Sequence, residues 1–470
     1  MRQKVIIVSC DSHAGVPKEL WPEYLPKEFH GLLDQLHRDC DEIYPNAIYC
    51  IGAKVGGGES VDAEHQAAQR DDWHGLYDPV LRLADMDREG ISAELIYLGD
   101  SRLGDMFHNV SGRDYGLEAW EAGAKGWNRY CSDAFGFAPD RLLITGAIGP
   151  CVDMDAQLAE LDWVADHKFV GVYGPGYLKH AAMPPLSDPY WDRFWAKSSD
   201  RNLAVVVHAG FGTMIGMAFP QVEKMYDDVV AAAGTNELDA MIRHADAIAD
   251  ESLRFFHDFV NKNLDSRQPL WQMMLGGVFD RHPDLKLELT EIRIDWIPAT
   301  LALLDEVWER NRDKIPAKRR PSEYWQTNCL AGASFIHRTE VERRHELGVE
   351  TILFGRDYPH QESTWPQTKQ YLRAAFAGVP EDDIRAMLGE NGIRFFGLDR
   401  DRLEAIAKRI GPSIEEITCG DVPQELIESF AARSGYLKPY EGDENLAAVN
   451  ELLVDDLAVI SGSLEATTIG

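Results

Sequence analysis

Two imidazoles and two carboxylates follow three apolar runs in this sequence. Asp11 and His13 follow a run near the amino terminus, His208 ends a second run, and a third leads to Asp357. Imidazole nitrogens and carboxylate oxygens form a donor set that suits zinc, iron or manganese in proteins. If the fold brings these four side chains together, they predict a divalent-metal site.

The apolar runs themselves indicate how the chain could achieve this. A continuous apolar run without polar alternation is typical of a strand buried on both faces, as in parallel α/β sheets. Most such runs here are separated by stretches with helical periodicity, which predicts right-handed crossovers and a (β/α)8 TIM barrel. The predicted strands are Lys4–Cys10, Ala93–Leu98, Leu142–Ile148, Lys168–Tyr173, Leu203–His208, Leu285–Thr290, Tyr324–Leu330 and Thr351–Phe354.

In a parallel barrel, residues just past the C-terminal ends of the strands face one mouth. Asp11 and His13 lie two positions apart, so an extended segment points both side chains the same way. His208 at the end of strand five and Asp357 after strand eight would meet them there. Each motif alone has an ordinary explanation, such as a satisfied strand-end histidine or turn chemistry before a proline. Their shared position favours a joint metal site.

Composition narrows the range of partners. The 470 residues are 45% hydrophobic, and 47 basic against 78 acidic residues give a net charge of −31. Such acidity argues against nucleic acid and anionic membranes, because phosphate binding needs a basic face. The apolar run before Asp11 is too short for a signal-peptide core, and no run reaches the roughly 18 residues of a membrane span. Seven cysteines without a CxxC spacing fit buried thiols in a reducing compartment, so we expect a cytoplasmic protein.

Two connections are too long for simple loops. Residues 14–90 and 209–284 would form insertions above the barrel mouth, where lids and substrate pockets arise. We therefore expect a barrel over residues 1–400 and a helical C-terminal extension over 401–470. Its tail, Glu441–Gly470, has seven acidic residues and no basic one. An oligomer-contact arm, in keeping with an expected homodimer, and a solvated tail both stay open.

Six segments of this chain follow one another in an order known from a family of enzymes. They are Asp11–Gly15, His208–Gly210, Leu275–Lys286, Thr290–Glu291 with Trp296–Pro298, Phe354–His360 and Glu390–Leu398. This series resembles the amidohydrolase superfamily, specifically the amidohydrolase 2 branch with its decarboxylase-like enzymes. The resemblance covers roughly residues 4–400 and is more specific for fold and metal than for reaction.

The resemblance implies roles for the four residues. Asp11, His13, His208 and Asp357 would form the metal shell, holding one or two ions of iron, zinc or manganese. Asp357 would also carry the proton of a water molecule whose pKa the metal lowers. The first strand departs from the His-x-His or Glu-x-His of many relatives by having Asp-x-His.

Two further residues have less certain roles. The fourth strand lacks the carboxylated lysine that bridges two metals in many hydrolytic relatives, whereas the sixth strand ends on Glu291. Glu291 could bind a second metal or a ligand, or simply pair with an arginine. His257 lies where relatives often place a catalytic or second-site histidine, and the alternative is a residue on a helix surface. His360, three residues after Asp357, is expected to support the ligands rather than bind the metal.

Large apolar residues in the insertions predict a bulky apolar substrate, although most should simply be core. The expected reaction is metal-dependent hydrolysis of an acyl carbonyl in a thioester, ester or amide, and some relatives resemble acyl-CoA thioesterases of diterpenoid biosynthesis. One alternative is non-oxidative decarboxylation of an aromatic or unsaturated acid, and another is an inactive ligand-binding barrel. The predicted substrate-binding residues are Tyr173, Phe211, Met214 and Trp271.

Overall fold

The computed structural model describes residues 4–55, 73–99, 103–108, 112–217, 219–257, 264–360, 362–433 and 446–462. The strands in chain order are β1 (Val8–Ser9), β2 (His13–Ala14), β3 (Ala93–Leu98), β4 (Leu142–Gly146), β5 (Gly171–Tyr173), β6 (Leu178–Lys179), β7 (Ala204–His208), β8 (Thr213–Met214), β9 (Leu287–Thr290), β10 (Cys329–Ser334) and β11 (Ile352–Gly355). The main sheet runs β1-β3-β4-β5-β7-β9-β10-β11, and β2 also pairs with β3. β6 and β8 form a separate pair.

All pairs in the main sheet are parallel, and hydrogen bonds join its last strand to its first. The backbone N–H of Cys10 donates to the carbonyl of Phe354 at 2.9 Å, and that of Asp357 to the carbonyl of Asp11 at 3.0 Å. Every residue in the eight strands is buried, as a sheet covered on both faces requires. The predicted (β/α)8 barrel is confirmed.

Helices lie between most strands and fill the insertions. In chain order they are α1 (Trp21–Tyr24), α2 (Leu33–Arg38), α3 (Tyr44–Val55), α4 (Pro79–Glu89), α5 (Leu117–Phe135), α6 (Met154–Asp166), α7 (Asp192–Asp200), α8 (Phe219–Ala233), α9 (Leu238–Arg243), α10 (Asp250–His257), α11 (Gln268–Leu275), α12 (Val278–Arg281), α13 (Ile297–Asn311), α14 (Pro321–Asn328), α15 (Arg338–Glu342), α16 (Arg344–Leu347), α17 (Thr368–Phe376), α18 (Glu381–Arg385), α19 (Asn391–Phe396), α20 (Arg400–Ile410), α21 (Ile414–Thr418), α22 (Gln424–Arg433) and α23 (Leu446–Ile460). The helical patterns seen near residues 79–86 and 155–166 correspond to α4 and α6.

Local signals explain where α4 begins and ends. The Asp78 side chain accepts hydrogen bonds from the backbone N–H groups of Val80 and Leu81 at 2.9 and 3.0 Å. Pro79 occupies the first helical position, where its missing N–H costs nothing. Gly90 ends the helix with a φ of +83°, which glycine adopts without steric penalty.

The predicted seventh strand, Tyr324–Leu330, is wrong in its first part. Residues 321–328 form α14, and the strand is β10, Cys329–Ser334. Pro321 starts the helix, and the Glu323 side chain accepts the backbone N–H of Arg320 at 2.9 Å. The aromatic residues in this stretch pack as one buried helix face, whereas the strand itself is made of small residues. A Cβ atom at Gly332 would lie 2.3 Å from Thr290 Oγ1, so the strand has no room for a larger residue there. Because its residues are small, a search for runs of large apolar residues does not find this strand.

The two long insertions pack on each other. Ile43, Ala47 and Ile51 from residues 14–90 share a buried apolar cluster with Phe219 and Met225 from residues 209–284. This cluster is separate from the main core. The sequence predicts both insertions but gives no sign of their contact, because residues far apart in the chain form it.

The acidic tail is not solvated throughout. Helix α23 buries Val449 and Leu453 completely or nearly so. Its Asp456 side chain accepts hydrogen bonds from Trp271 Nε1 at 2.5 Å and from Gln272 Nε2 at 2.9 Å, both on α11. For residues 446–460 the solvated alternative is therefore wrong. The contact arm and the division at residue 400 stay predictions.

No helix in the described ranges is long and apolar enough to cross a membrane. All seven cysteines are unpaired, and five of them are buried. The five buried cysteines pack as small core residues, as their scattered positions predict, whereas Cys40 is partly exposed and Cys419 is exposed. The cytoplasmic location stays a prediction.

Candidate metal centre

The barrel places the four predicted ligands at the C-terminal ends of its strands. His13 begins β2, His208 is the last residue of β7, and Asp357 follows β11 by two residues. Asp11 and Asp357 are completely buried, and the two histidines are exposed by 4% or less. The fold therefore carries all four side chains into the protein interior at one end of the barrel.

The ligand atoms of these residues lie close together. Nε2 of His13 is 3.2 Å from Oδ1 of Asp357 and 3.5 Å from Oδ1 of Asp11. Nε2 of His208 is also 3.5 Å from Oδ1 of Asp11. One donor atom from each of Asp11, His13, His208 and Glu291 lies within 4.8 Å of the other three. The structure thus brings together residues that are up to 346 positions apart, although their role as ligands stays a prediction.

Hydrogen bonding shows which atoms are free to bind a cation. Nδ1 of His13 contacts the Leu98 carbonyl at 2.9 Å, and Nδ1 of His208 contacts the Ala209 carbonyl at 3.1 Å. These nitrogens must carry protons to donate to carbonyls, which leaves the Nε2 lone pairs directed elsewhere. Nε2 of both histidines, Oδ1 of Asp11 and both carboxylate oxygens of Asp357 have no hydrogen-bond partner among the described residues. Buried polar atoms without partners are costly, so this donor set fits a bound metal.

The negative charge around His208 also fits a bound cation. Burial opposes protonation of this imidazole, but the neighbouring carboxylates of Asp11 and Glu291 outweigh burial and raise its pKa to about 9. The surroundings therefore favour a positive charge at this position. A divalent cation among the same carboxylates would satisfy that demand.

An unusual backbone conformation directs two of the carboxylates toward the cluster. Asp357 and Glu291 have φ values of +54° and +51°, in the left-handed region that non-glycine residues seldom adopt. The conformation at Asp357 is held by its own N–H, which donates to Asp11, and by its carbonyl, which accepts from His360 N–H at 3.0 Å. Such strain is often found where a side chain must be aimed at a functional site.

Glu291 lies beside the metal cluster, as the sequence suggests. His208 is in register with Thr290 across β7 and β9, so the next residue, Glu291, reaches the imidazole. Oε2 of Glu291 is 3.4 Å from Nδ1 of His208. Burial raises the pKa of Glu291 well above its usual value, even though His208 opposes that shift. A cation bound here would reverse it.

A second group of donor atoms overlaps the first. One donor atom from each of Glu291, Asp357, His360 and Glu362 lies within 4.8 Å of the other three. Nδ1 of His360 is 3.1 Å from Oδ1 of Asp357. Sequence reasoning did not find Glu362, although its position five residues after Asp357 in the same loop was a usable signal. His360 has a contact that fits either support of Asp357 or metal binding.

Buried arginines support the strands that carry the ligands. Arg82 donates to the His13 carbonyl at 2.5 Å and pairs with Glu94 at 2.9 Å. Arg356 donates to the other oxygen of Glu94 at 2.7 Å and to Glu89 at 3.2 Å. All of these side chains are buried. Glu94 therefore links the backbone of His13 to the residue before Asp357, a connection that sequence reasoning missed.

Glu288 is a further buried acid inside the barrel. It accepts a hydrogen bond from the Tyr97 hydroxyl at 3.0 Å. Burial raises its pKa to about 8, partly offset by that hydrogen bond. A glutamate between two leucines of a fully buried strand was the sequence signal for it. The Tyr97 ring lies 5.1 Å from the ring of His208, so this pair adjoins the metal cluster.

The predicted substrate residues have different positions. Tyr173 is buried at the end of β5, with its ring 6.3 Å from that of His208. Phe211 is buried just after β7, where its N–H donates to the His208 carbonyl at 3.1 Å. Met214 lies in β8 and is 37% exposed. Tyr173 and Phe211 lie at or just after the C-terminal ends of barrel strands, and Met214 lies a few residues further along the chain. The substrate roles of all three stay predictions.

The two remaining predicted residues are Trp271 and His257. Trp271 is completely buried and donates its indole N–H to Asp456 of α23, and its substrate role stays a prediction. His257 is the last residue of α10, but its side chain lies outside the described residues. Its catalytic role is therefore untested.

Comparison with protein families gives a single assignment. The family model described as Amidohydrolase matches residues 12–398, which is most of the chain. The match contains three of the four predicted ligands, and Asp11 lies just before it. A search of curated proteins returned no match.

Solved structures share the fold at low sequence identity. An amidohydrolase from Mycobacterium avium subsp. paratuberculosis is 19% identical, with a TM-score of 0.55 over 84% of this chain and 99% of its own. A 5-carboxyvanillate decarboxylase from Novosphingobium aromaticivorans, complexed with manganese and 4-hydroxy-3-methoxy-5-nitrobenzoic acid, is 17% identical, with a TM-score of 0.54 over 84% and 96%. A 2,6-dihydroxybenzoate decarboxylase from Rhizobium is 20% identical, with a TM-score of 0.51 over 85% and 100%. These likenesses support the barrel.

Proposed function

This chain belongs to the amidohydrolase family, and on that premise we propose that it is a metal-dependent hydrolase of an acyl carbonyl. The observation that carries the proposal is the set of buried ligand atoms of Asp11, His13, His208 and Asp357, which lie near one another and have no hydrogen-bond partner within the described ranges. Imidazole and carboxylate ligands accept iron, zinc or manganese. One ion would satisfy these four residues, and a second would need Glu291 and the residues around it.

The proposed chemistry divides between the ion and the chain. A bound divalent ion would polarise the substrate carbonyl and lower the pKa of a nearby water molecule. Asp357 would accept the proton of that water as oxygen attacks the carbonyl carbon, and then pass the proton to the leaving group as its bond to carbon breaks. His360, 3.1 Å from Asp357 Oδ1, would hold the carboxylate in place during both transfers. His257 is the next candidate for the proton transfer.

Charge favours a neutral acyl group over an anionic acid as the substrate. The two overlapping clusters contain four carboxylates: Asp11, Asp357, Glu291 and Glu362. The buried arginines Arg82 and Arg356 both form ion pairs with Glu94, which offset part of their charge. An anion entering this site would be repelled unless a second cation were bound, because like charges repel strongly at low dielectric.

Decarboxylation of an aromatic or unsaturated acid is the second candidate. The likeness to the two named decarboxylases, one of them complexed with manganese, favours it, although at 17–20% identity they share only the fold. In that case the ion would hold the substrate's oxygen substituents. A carboxylic acid would deliver a proton to the carbon that loses carbon dioxide, and Glu291, 3.4 Å from His208, is the candidate for this role.

Metal analysis combined with two assays tests the proposal. Purified protein is analysed for iron, zinc and manganese, and then incubated with acyl-CoA thioesters and aryl esters, or with hydroxybenzoates. Bound metal with release of free acid supports the hydrolase. Bound metal with carbon dioxide released from a hydroxybenzoate overturns it in favour of the decarboxylase. Protein that takes up no metal after reconstitution overturns both and leaves the ligand-binding barrel.

A further inference from the structure

A small cavity lies beside the metal cluster, on the side of Tyr173. Its free space is about that of one water molecule, so it can accept a terminal group of a ligand but not a whole ring. Most of its wall is apolar. The lining residues are Leu98, His108, Trp120, Ala147, Ile148, Tyr173, Tyr177 and Leu178.

Two polar side chains of this wall each have an atom without a hydrogen-bond partner in the part of the chain that the structure describes. Nε2 of His108 and the hydroxyl of Tyr173 are buried and make no hydrogen bond to described residues. The two side chains belong to residues exposed by only 2% and 1%. Because a buried polar group without a partner is costly, a structure that holds two of them in one cavity is suited to a polar occupant.

The orientation of His108 defines what that occupant must offer. Nδ1 of His108 lies 2.9 Å from the Met106 carbonyl, so this nitrogen carries the proton and donates it. Burial lowers the pKa of His108, which keeps the ring neutral. Nε2 is therefore an acceptor on a residue that lines the cavity, and the Tyr173 hydroxyl can accept or donate.

Close packing fixes His108 in this position. The helix α5 approaches its loop at Gly123, where a side chain would lie 1.4 Å from the Met106 carbonyl. Phe107, which lies between Met106 and His108 in the chain, has a φ of +67°. A loop that is held this tightly presents the His108 ring in one orientation, as recognition of a small group requires.

A nearby carboxylate, that of Asp105, disfavours an anion in the cavity. Oδ1 of Asp105 lies 3.8 Å from Nε2 of His108, and Asp105 is 7% exposed. Its charge contributes to raising the pKa of both Tyr173 and Tyr177, after the larger effect of burial. A carboxylate or phosphate placed here would face this acid, whereas a neutral donor would not.

The cavity also has a defined relation to the metal cluster. Tyr173 contributes its ring to both, since the ring lies 6.3 Å from that of His208 and 4.5 Å from that of Tyr177. A substrate at the metal ligands could therefore extend one terminal group past this ring.

We propose that the cavity is a specificity subsite that binds an uncharged hydrogen-bond donor, a hydroxyl or amide N–H, at one end of an apolar substrate. The donor hydrogen goes to His108 Nε2, and the Tyr173 hydroxyl completes its hydrogen bonding. This inference deepens the proposed function, because it specifies the substrate of the same site. It assigns a role to His108, which no sequence motif indicated.

Fragment binding tests the subsite without a turnover assay. Phenol, toluene and benzoate, which differ mainly in the group at one ring position, are titrated into the metal-loaded enzyme. Affinity is followed by NMR, together with the ¹⁵Nε2 shift of His108. The wild type is compared with Tyr173→Phe and with Tyr24→Phe, whose hydroxyl instead pairs with Asp133 near the surface. Metal content is measured on every sample.

We expect phenol to bind about three- to tenfold more tightly than toluene, the usual effect of one neutral hydrogen bond. That preference should fall in Tyr173→Phe, which loses the completing hydrogen bond but keeps His108 as acceptor, and it should be unchanged in Tyr24→Phe, while only phenol should move the His108 signal. Equal binding of phenol and toluene, tighter binding of benzoate, or an unchanged preference in Tyr173→Phe would each overturn the inference. If the protein takes up no metal during loading but still prefers phenol to toluene, the proposed function would be refuted and the subsite would stand.

Discussion

The ring of His360 stacks on the ring of His13, with centroids 3.9 Å apart and planes 19° from parallel. The same His360 places Nδ1 3.1 Å from Oδ1 of Asp357 and Nε2 3.3 Å from the Gly99 carbonyl. One side chain thus contacts two predicted ligands by different means, through its ring face and through a ring nitrogen. These two contacts can be separated by substitution.

His360→Phe should keep the stacking on His13 and lose the contact with Asp357. We expect metal content to stay close to that of the wild type, while kcat falls by about ten- to a hundredfold, because the carboxylate loses its orientation. Metal analysis and steady-state kinetics check this. A loss of metal in His360→Phe would instead assign His360 to the ligands.

His208→Ala should lower bound metal and abolish activity while the barrel stays folded. The reason is that its Nε2 is one of the unpartnered buried atoms of the cluster. Metal quantification, activity and far-UV circular dichroism measure the three effects. His244→Ala, at an exposed histidine of the 209–284 insertion, is the matched control. Wild-type metal content and activity in His208→Ala would eliminate the metal centre.

Asp357→Asn removes the negative charge but keeps the size of the side chain. If Asp357 both binds metal and carries the proton, this variant should retain much of the metal and lose about two to four decades in rate. Single-turnover kinetics at matched metal loading provide the measurement. A loss below tenfold would give the proton transfer to another residue, with His257 tested next.

Glu291→Gln and Glu362→Gln test for a second ion. Both carboxylates lie in the overlapping cluster with Asp357 and His360, whereas only Glu291 also belongs to the cluster of His208. If two ions bind, each variant should drop the count from two to one, and hydrolysis should stop. One ion per chain in the wild type and in both variants would refute the second site. Carbon dioxide release from an aromatic acid by that one-ion enzyme would favour decarboxylation.

The sequence alone predicted the barrel and the residues at its mouth. Strands buried on both faces leave long apolar runs, and polar residues that end such runs stand out clearly, as Asp11, His13 and His208 do. Those signals are local, so one sequence suffices to read them. The boundaries were less accurate, because β10 consists of small residues and the aromatic stretch before it forms α14.

Tertiary structure alone decided which other groups surround these residues. The sequence signals for Glu362 and Glu288 are weak and none points to His108, and only the folded chain shows these residues beside the cluster or the cavity. The sequence predicted Trp271 as a substrate-binding residue, and only the folded chain shows that α23, from the far end of the chain, packs on it. Contacts between distant segments depend on the packing of many side chains at once, and no local pattern encodes them. The four clustered residues could therefore be predicted from the sequence, whereas their surroundings could not.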